Sequence, residues 1–413
     1  MKNKLALAVR DRMLVHAAVI ACAAVAYLTP SAAFAAPFTY VANQSVRELD
    51  VIDMADFKAR LITKTDEKTS SLVTNEATGK AFFNTSTGVT MIDAASNTIA
   101  ATIPVPAPVS RLVVDAPGQR LYAISDARIY LIDVRKKAVI GAITLNALPL
   151  ALVADEDGER AYALTSGRVH VIDVASGAVV STIAVDSSAT TLAVDHNGAK
   201  LYVASSGING GTAALTIIDA EDEAVEKIIP TAGLASDLHP NALTISSEDE
   251  RVYVFGGSES KTAVKYLVFD TDTQVARGVV VPIPAPPQPL IAPFKGPTLL
   301  SPDGKYLYVS GAATPSNSVI AEIDTSTETT RRILSLPTNG AEYHYVTGLA
   351  SSNADDRFVI VAFIFEHRIH SAGEPRSVGF IDVASNTTLA NVQFPQQMWS
   401  GGLFGAVLDP DEE

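Results

Sequence analysis

Short apolar runs alternate with polar positions along the whole chain, and turn-forming residues separate them. Alternation with a period of two predicts strands that bury one face. In eight places such a run ends in an aspartate that follows an apolar residue. These eight residues are Asp53, Asp93, Asp133, Asp173, Asp219, Asp270, Asp324 and Asp382.

The spacing of these aspartates predicts a repeat protein. The first four lie 40 residues apart, and the later intervals grow to 46, 51, 54 and 58 residues. A period in this range is typical of units that bury their apolar faces only against each other. The growth of the interval toward the C-terminus is the main sequence clue to function.

Each unit is predicted to contain four short strands. The first is an apolar run before a tight turn, such as Arg111 to Asp115, and the second carries an aromatic residue, such as Tyr122 or Tyr202. The third ends in the recurring aspartate, and a short turn leads to the fourth. This order predicts antiparallel all-β structure. Eight such units favour an eight-bladed β-propeller, or a seven-bladed one if a unit is degenerate.

The two ends of the chain predict how the ring closes. After position 35 the chain begins with a second strand, at Phe38 to Asn43, and no first strand precedes it. The missing first strand is found at the other end, where Gly402 to Leu408 resembles Leu300 to Gly304. We expect the C-terminal strand to complete the first blade, which removes the exposed edges of an open array.

Several of these segments resemble a known repeat. They are Tyr40-Val-Ala-Asn43, Val51-Ile-Asp53, Asp173-Val-Ala-Ser-Gly177, Tyr202-Val-Ala-Ser205, Ser301-Pro-Asp-Gly304 and Tyr308-Val-Ser-Gly311. They look like the YVTN-type β-propeller repeat family, and the similarity extends over nearly all of residues 36–413. The resemblance implies a propeller that is often secreted or located at the cell surface. It implies no catalytic motif.

The first 35 residues are predicted to be a signal peptide. A basic start precedes the apolar run from Leu14 to Leu28, and Ala33 and Ala35 match the small residues that a signal peptidase recognises. In an alternative interpretation Cys22, the only cysteine, is acylated as in a lipoprotein. We therefore expect a single propeller domain at residues 36–413. It would be periplasmic, secreted or at the cell surface, and not integral to the membrane after cleavage.

The charge of the chain limits the classes of partner that it can bind. The net charge is −14, and it becomes −17 without the predicted signal peptide. No basic run remains, which disfavours nucleic acids and anionic membranes as partners. Cleavage also removes the only cysteine, which excludes disulfides, thiolate metal sites and covalent haem attachment through cysteine. The oligomeric state stays open.

The growing intervals all fall on one face of the predicted ring. The loops between second and third strands are short in units two to four, and in units five to eight they lengthen. The connections between blades lengthen there too, whereas the turns of the opposite face keep one length. Binding on repeat scaffolds concentrates in such insertions. The candidate ligand-binding residues are His239, Tyr343, His344, Glu366, His367, Arg368, His370, Arg376 and Trp399.

Histidines among these residues suggest a second chemistry. His239, His344, His367 and His370 could hold a divalent metal such as Zn²⁺ or supply acid–base groups near neutral pH. The alternative is a solvated polar loop whose histidines are unrelated. No other cofactor is indicated. The recurring aspartates, in contrast, are expected to fix turns by accepting backbone hydrogen bonds.

Three hypotheses about function follow. In the first, an exported propeller binds a small ligand or a protein partner through the elaborated face of blades five to eight. In the second, the histidines serve a metal-dependent lactonase or lyase, an analogy with other propellers. In the third, the protein is a non-catalytic structural surface protein.

Overall fold

The computed structural model describes residues 37–43, 47–65, 69–207, 211–234, 238–246, 251–257, 263–282, 298–301, 303–314, 317–336, 343–352, 359–367, 376–394 and 403–408. All regular structure in these ranges is β-strand, and the strands form eight four-stranded antiparallel sheets. The prediction of an eight-bladed β-propeller is therefore confirmed. No helix in these ranges is long and apolar enough to cross a membrane.

Blade 1 combines both ends of the described chain. Its strands are β1 (Phe38–Asn43), β2 (Glu48–Asp53), β3 (Lys58–Lys64) and β32 (Leu403–Leu408). Strand β32 pairs antiparallel with β1 along six residues, from Phe38 opposite Leu408 to Asn43 opposite Leu403. The predicted closure of the ring by the C-terminal strand is confirmed.

Blades 2 to 4 are the most regular. Blade 2 contains β4 (Leu72–Asn75), β5 (Lys80–Thr85), β6 (Gly88–Asp93) and β7 (Thr98–Pro104). Blade 3 contains β8 (Arg111–Val114), β9 (Arg120–Ser125), β10 (Arg128–Asp133) and β11 (Ala138–Thr144). Blade 4 contains β12 (Ala151–Ala154), β13 (Arg160–Thr165), β14 (Arg168–Asp173) and β15 (Ala178–Ala184).

Blades 5 to 8 have the same strand order. Blade 5 contains β16 (Ala189–Val194), β17 (Lys200–Ser206), β18 (Ala213–Asp219) and β19 (Ala224–Pro230). Blade 6 contains β20 (His239–Ser246), β21 (Arg251–Gly257), β22 (Ala263–Asp270) and β23 (Val275–Pro282). Blade 7 contains β24 (Thr298–Leu300), β25 (Tyr306–Thr314), β26 (Asn317–Asp324) and β27 (Thr329–Ser335). Blade 8 contains β28 (Tyr343–Ser352), β29 (Val359–His367), β30 (Arg376–Asp382) and β31 (Thr387–Phe394).

The first strand of each blade is the inner strand, and the fourth is the outer strand. Inner strands of successive blades contact each other around most of the ring, as β4 does with β8 and β12 with β16. We call the face that carries the second-to-third loops and the inter-blade connections the upper face. The face that carries the other two turns is the lower face.

The core lies between blades, where apolar residues of adjacent sheets pack together. A large aromatic side chain at one position of the second strand is buried in most blades, for example Tyr122 between blades 3 and 4 and Tyr202 between blades 5 and 6. Both are almost completely buried. Each blade covers the apolar face of the next, as the repeat pattern predicts.

The eight recurring aspartates close the turns between third and fourth strands. Each carboxylate accepts a hydrogen bond from a backbone N–H two or three residues further on, at 2.7–3.2 Å. A hydrogen bond from the hydroxyl of the serine or threonine two or three residues on is the largest cause that lowers the pKa of Asp173, Asp270 and Asp324, and the backbone bonds lower it further. The structural role expected for these residues is confirmed.

Candidate functional site

The inner strands differ in length around the ring: they are short in blades 2 to 4, which we call the low half, and long in blades 5, 6 and 8, whereas the described inner strand of blade 7 has three residues. In blades 2 to 4, β4, β8 and β12 have four residues each. In blades 5, 6 and 8, β16, β20 and β28 have six, eight and ten. Compared with β8, these strands gain two to five residues at their upper ends and at most one at their lower ends, so most of the extra length lies toward the upper face. The wall around the upper mouth of the ring is therefore higher over these blades.

A β-bulge accompanies each lengthened inner strand. Thr190, Asn241 and Thr347 are each inserted as one extra residue between two paired positions. All three insertions occur at the same height of the repeat, next to the residues that pair with Ala204, Phe255 and Phe363. The inner strands of blades 2 to 4 pair without interruption. Bulges of this kind redirect side chains at sheet edges and beside binding sites.

Blade 8 brings five of the predicted site residues to one edge. Tyr343 and His344 begin β28, Glu366 and His367 end β29, and Arg376 begins β30. In the register, Tyr343 lies opposite His367 and His344 lies opposite Glu366. Arg376 lies opposite Phe365, one residue below this row. The sequence places these residues in loops, whereas the structure places them at the upper ends of strands. Arg368, His370 and Trp399 lie outside the described residues.

His239 is the first residue of β20 in blade 6, and in the repeat register it matches Tyr345 of blade 8. Its side chain is exposed, and Nδ1 lies 3.0 Å from the carbonyl oxygen of Ser206. A carbonyl only accepts hydrogen bonds, so Nδ1 carries the proton in the neutral ring and Nε2 keeps its lone pair. Gly256 allows this arrangement, since a Cβ there would overlap with the His239 carbonyl oxygen.

A small polar network fixes the backbone around His239. The Asp186 carboxylate accepts hydrogen bonds from the Ser188 hydroxyl at 2.6 Å and the Thr212 amide at 2.9 Å. The Ser188 carbonyl in turn accepts from the amide of Ser206, whose own carbonyl contacts His239. The network therefore ties the base of the blade 5 loop to the start of blade 6.

Sequence reasoning missed Arg111 in the low half. It begins β8, its side chain is exposed, and its Nη1 donates a hydrogen bond to the Leu150 carbonyl of blade 4. The equivalent residues of the next two blades are Ala151 and Thr191. Alignment of the repeats would have found this residue as a cation where the next two blades have small side chains.

Three clefts formed by described residues lie on the lower face, between blades. A cleft of about 680 Å³ between blades 4 and 5 is lined by several acids, including Asp155, Asp157 and Asp219, together with Arg160 and His196. Two smaller clefts lie between blades 3 and 4 and between blades 5 and 6. Within the described ranges, no group of three or more His, Cys, Asp or Glu side chains could hold a metal ion.

Comparison with solved structures supports the fold. A dihydro-heme d1 dehydrogenase NirN in complex with DHE is 13% identical with a TM-score of 0.59, and the match covers 90% of this chain and 75% of that one. Hydrazine synthase of Kuenenia stuttgartiensis is 14% identical, with a TM-score of 0.53 and coverages of 81% and 98%. A eukaryotic initiation factor is 11% identical, with a TM-score of 0.58 and coverages of 89% and 98%.

These similarities define the class of protein, a β-propeller. At such low identity a shared fold does not carry a shared activity. No protein-family model matches the sequence, and no curated protein matches it in sequence.

Proposed function

We propose that the chain is an exported binding protein of the YVTN-type propeller kind, which holds a small ligand on the upper face of blades 5–8. The observation that carries this proposal is the change in the inner strands, which are longer and bulged in blades 5, 6 and 8. A purely structural ring would gain nothing from one raised side.

The residue types at the raised edge support a polar ligand. In blade 8, a tyrosine, two histidines and a glutamate occupy two adjacent register rows, with Arg376 nearby. His239 adds an exposed imidazole whose Nδ1 is engaged by the Ser206 carbonyl, which leaves Nε2 for a ligand. Such a set of donors, acceptors and aromatic surface is typical of small-molecule sites.

The overall charge supports a small ligand over nucleic acid. With a net charge of −14, the chain repels a polyanion at long range. Export is supported by the composition of the first 35 residues, and a periplasmic or secreted location is part of the proposal. The test of export is N-terminal sequencing of protein from the extracytoplasmic fraction, where Ala36 is expected as the first residue.

Ligand screening by thermal shift tests the binding proposal. For compounds that raise the melting temperature of the wild-type chain, most of this rise should be absent in a variant with His344→Ala, Glu366→Gln and His367→Ala. The matched control carries His196→Ala and Glu156→Gln, an exposed histidine–carboxylate pair on the lower face. The proposal is wrong if every hit stabilises both variants equally. Hits lost only from the control would move the site to the lower face.

Metal analysis tests the imidazole set separately. If His239, His344, His367 and His370 hold a divalent ion, purified wild-type protein should retain about one equivalent after dialysis. The His239→Ala and His344→Ala variants should lose it. Retention in both variants would exclude His239 and His344 as metal ligands.

A further inference from the structure

Arg111 is the only Asp, Glu, Lys or Arg residue in the eight inner strands. The inner strands of the other blades consist of apolar, small and neutral polar residues, with two histidines at the raised edge. A single cation among the residues nearest the ring axis needs an explanation, because the folded chain is strongly acidic.

Arg111 does not form an ion pair with any described carboxylate. Its recorded contact is the hydrogen bond from Nη1 to the Leu150 carbonyl. A guanidinium has five N–H donors, so four remain for other acceptors. Similar links join other inner strands without a charge: Ser70 donates to the Ser110 carbonyl, and Thr190 lies 3.2 Å from the Pro240 carbonyl. The link between blades therefore does not require an arginine.

The surface beside Arg111 is apolar. Leu148 and Leu150, in the connection from blade 3 to blade 4, are 54% and 39% exposed. The connection from blade 2 to blade 3 has Pro108 and Ser110 at the same places. Two exposed leucines in the connection that Arg111 contacts, together with a cation that pairs with no described carboxylate, form an amphipathic surface.

We infer that the low side of the upper mouth binds an organic anion, with a carboxylate on Arg111 and an apolar chain on Leu148 and Leu150. Arg matches carboxylate geometry with two parallel N–H donors, and such charge-assisted bonds are stronger than neutral ones. The leucines bury methylene groups that a purely ionic ligand lacks. This site uses residues of blades 3 and 4 and does not depend on the function proposed for blades 5–8.

Isothermal titration of the full chain with octanoate, below its micellar concentration, tests the inference. Octanoate should bind, while acetate lacks the chain and octanamide lacks the charge, so each should bind at least about tenfold more weakly. Raising the salt concentration should weaken octanoate binding.

Variants separate ligand recognition from the link between blades. Arg111→Gln keeps an N–H that can reach the Leu150 carbonyl, but should weaken octanoate binding by about tenfold or more. Leu150→Ser copies Ser110 and should weaken octanoate binding while leaving acetate unchanged. The control is Arg128→Gln, which removes the same charge from an exposed position at the upper end of β10. This control should bind octanoate like the wild type.

Three results would overturn the inference. One is the absence of octanoate binding to the wild-type chain. Another is an equal loss in Arg111→Gln and Arg128→Gln, which would indicate a general effect of charge. The third is binding only to phosphatidylglycerol vesicles, which would point to a membrane surface. If Arg111→Gln does not fold, as judged by circular dichroism, Leu150→Ser and the salt dependence of the wild type decide the outcome.

Discussion

Blades 2–4 and blades 5–8 have the same kind of core packing and the same turns between third and fourth strands, but their upper ends differ. In both halves the third strand ends in an aspartate that closes the turn, and apolar residues pack between neighbouring blades. Long inner strands with inserted residues occur in blades 5, 6 and 8 of the second half, and not in blades 2–4. The comparison indicates that residues can be inserted where strands extend beyond the packed core. Within the core, close packing against neighbouring blades restricts insertions.

The largest effect is expected from the closing strand, which joins the two halves through blade 1. Deletion of residues 403–413 would leave β1 with an open edge and remove the contacts of β32 with β28 and β29 of blade 8. We expect a loss comparable to the whole stability of a domain, about 5–15 kcal/mol, and no cooperative unfolding transition in circular dichroism.

A point substitution refines this first prediction. Ala406→Pro removes a donor from the ladder opposite Tyr40, and Ala406→Ser keeps it. Proline should lower the melting temperature strongly and serine only slightly. Equal melting temperatures for the deletion and the full chain would show that closure contributes little.

The second prediction compares the cores of the two halves. Tyr122 in blade 3 and Tyr253 in blade 6 occupy the same repeat position, and both are almost completely buried. Tyr→Ala at either site should cost about 3–5 kcal/mol, because a large cavity remains. A clear inequality in urea unfolding would contradict the idea of a common core.

A milder variant serves as the control for the cavity effect. The Tyr122 hydroxyl is buried and has no hydrogen-bond partner in the part of the chain that the structure describes. Tyr122→Phe should therefore change the free energy of unfolding by less than about 1 kcal/mol, or stabilise the fold slightly.

The third prediction concerns the bulge in blade 6. Gly256→Ala would place a methyl group against the carbonyl of His239, so the fold should lose about 1–3 kcal/mol. In the low half the equivalent residue is Ser125, which already carries a Cβ. Ser125→Ala should cost less than Gly256→Ala in thermal denaturation. The opposite order would mean that the bulged strand is not constrained by Gly256.

The fourth prediction concerns Asp50, a buried acid in β2 beside blade 8. Burial, followed by the nearby Glu48, raises its pKa to about 6. The folded state thus holds a proton that the unfolded state releases, and stability falls as the pH rises from about 4 to 6. Asp50→Asn should match the wild type near pH 4 and be more stable by about 1–3 kcal/mol above pH 7.

Urea unfolding across this pH range measures the difference between the two proteins. Thr90 of blade 2 and Thr216 of blade 5 occupy the same position of the repeat. A neutral residue is therefore compatible with this place in both halves. An asparagine variant that is less stable at pH 7 would refute the assignment.

The smallest effect is expected from His170, at the same repeat position in blade 4. Burial, with a smaller contribution from Arg168, lowers its pKa, and its ring nitrogens contact Thr165 and Thr182. The folded state keeps the ring neutral, so stability is lost as the pH falls below about 6.5, where the unfolded chain takes up a proton. In His170→Thr, the decrease in the free energy of unfolding at acid pH should be smaller by about 1 kcal/mol. The readout is the unfolding midpoint at pH 7 and pH 5.5.

The fold could be predicted from the sequence because each unit repeats its own boundary signals. The aspartates mark the lower ends of the third strands, and aromatic residues such as Tyr122 mark the buried second strands. The C-terminal strand was recognisable because blade 1 lacks a first strand of its own. These signals are local in sequence and recur in most blades, so the pairing of β1 with β32 could be predicted from them.

The candidate site was harder to predict in detail. Tyr343, His344, Glu366 and His367 were placed in loops, but ladder hydrogen bonds continue to the end of β29 and make them strand residues. The inserted residues Thr190, Asn241 and Thr347 have no common type, so a bulge leaves no sequence signature. Arg111 was overlooked because the candidate residues were taken from blades with long loops, and the loops of blade 3 are short.

The buried tyrosines of the second strands affect how the ultraviolet absorbance of the protein changes in alkali. Burial is the largest cause that raises the pKa of Tyr202 to about 12 and raises those of Tyr40, Tyr122, Tyr162 and Tyr308 as well. These phenols will not ionise gradually in alkali as free tyrosine does. At alkaline pH their phenolate absorbance in the ultraviolet will rise when blades separate. Absorbance can therefore follow unfolding without an added label.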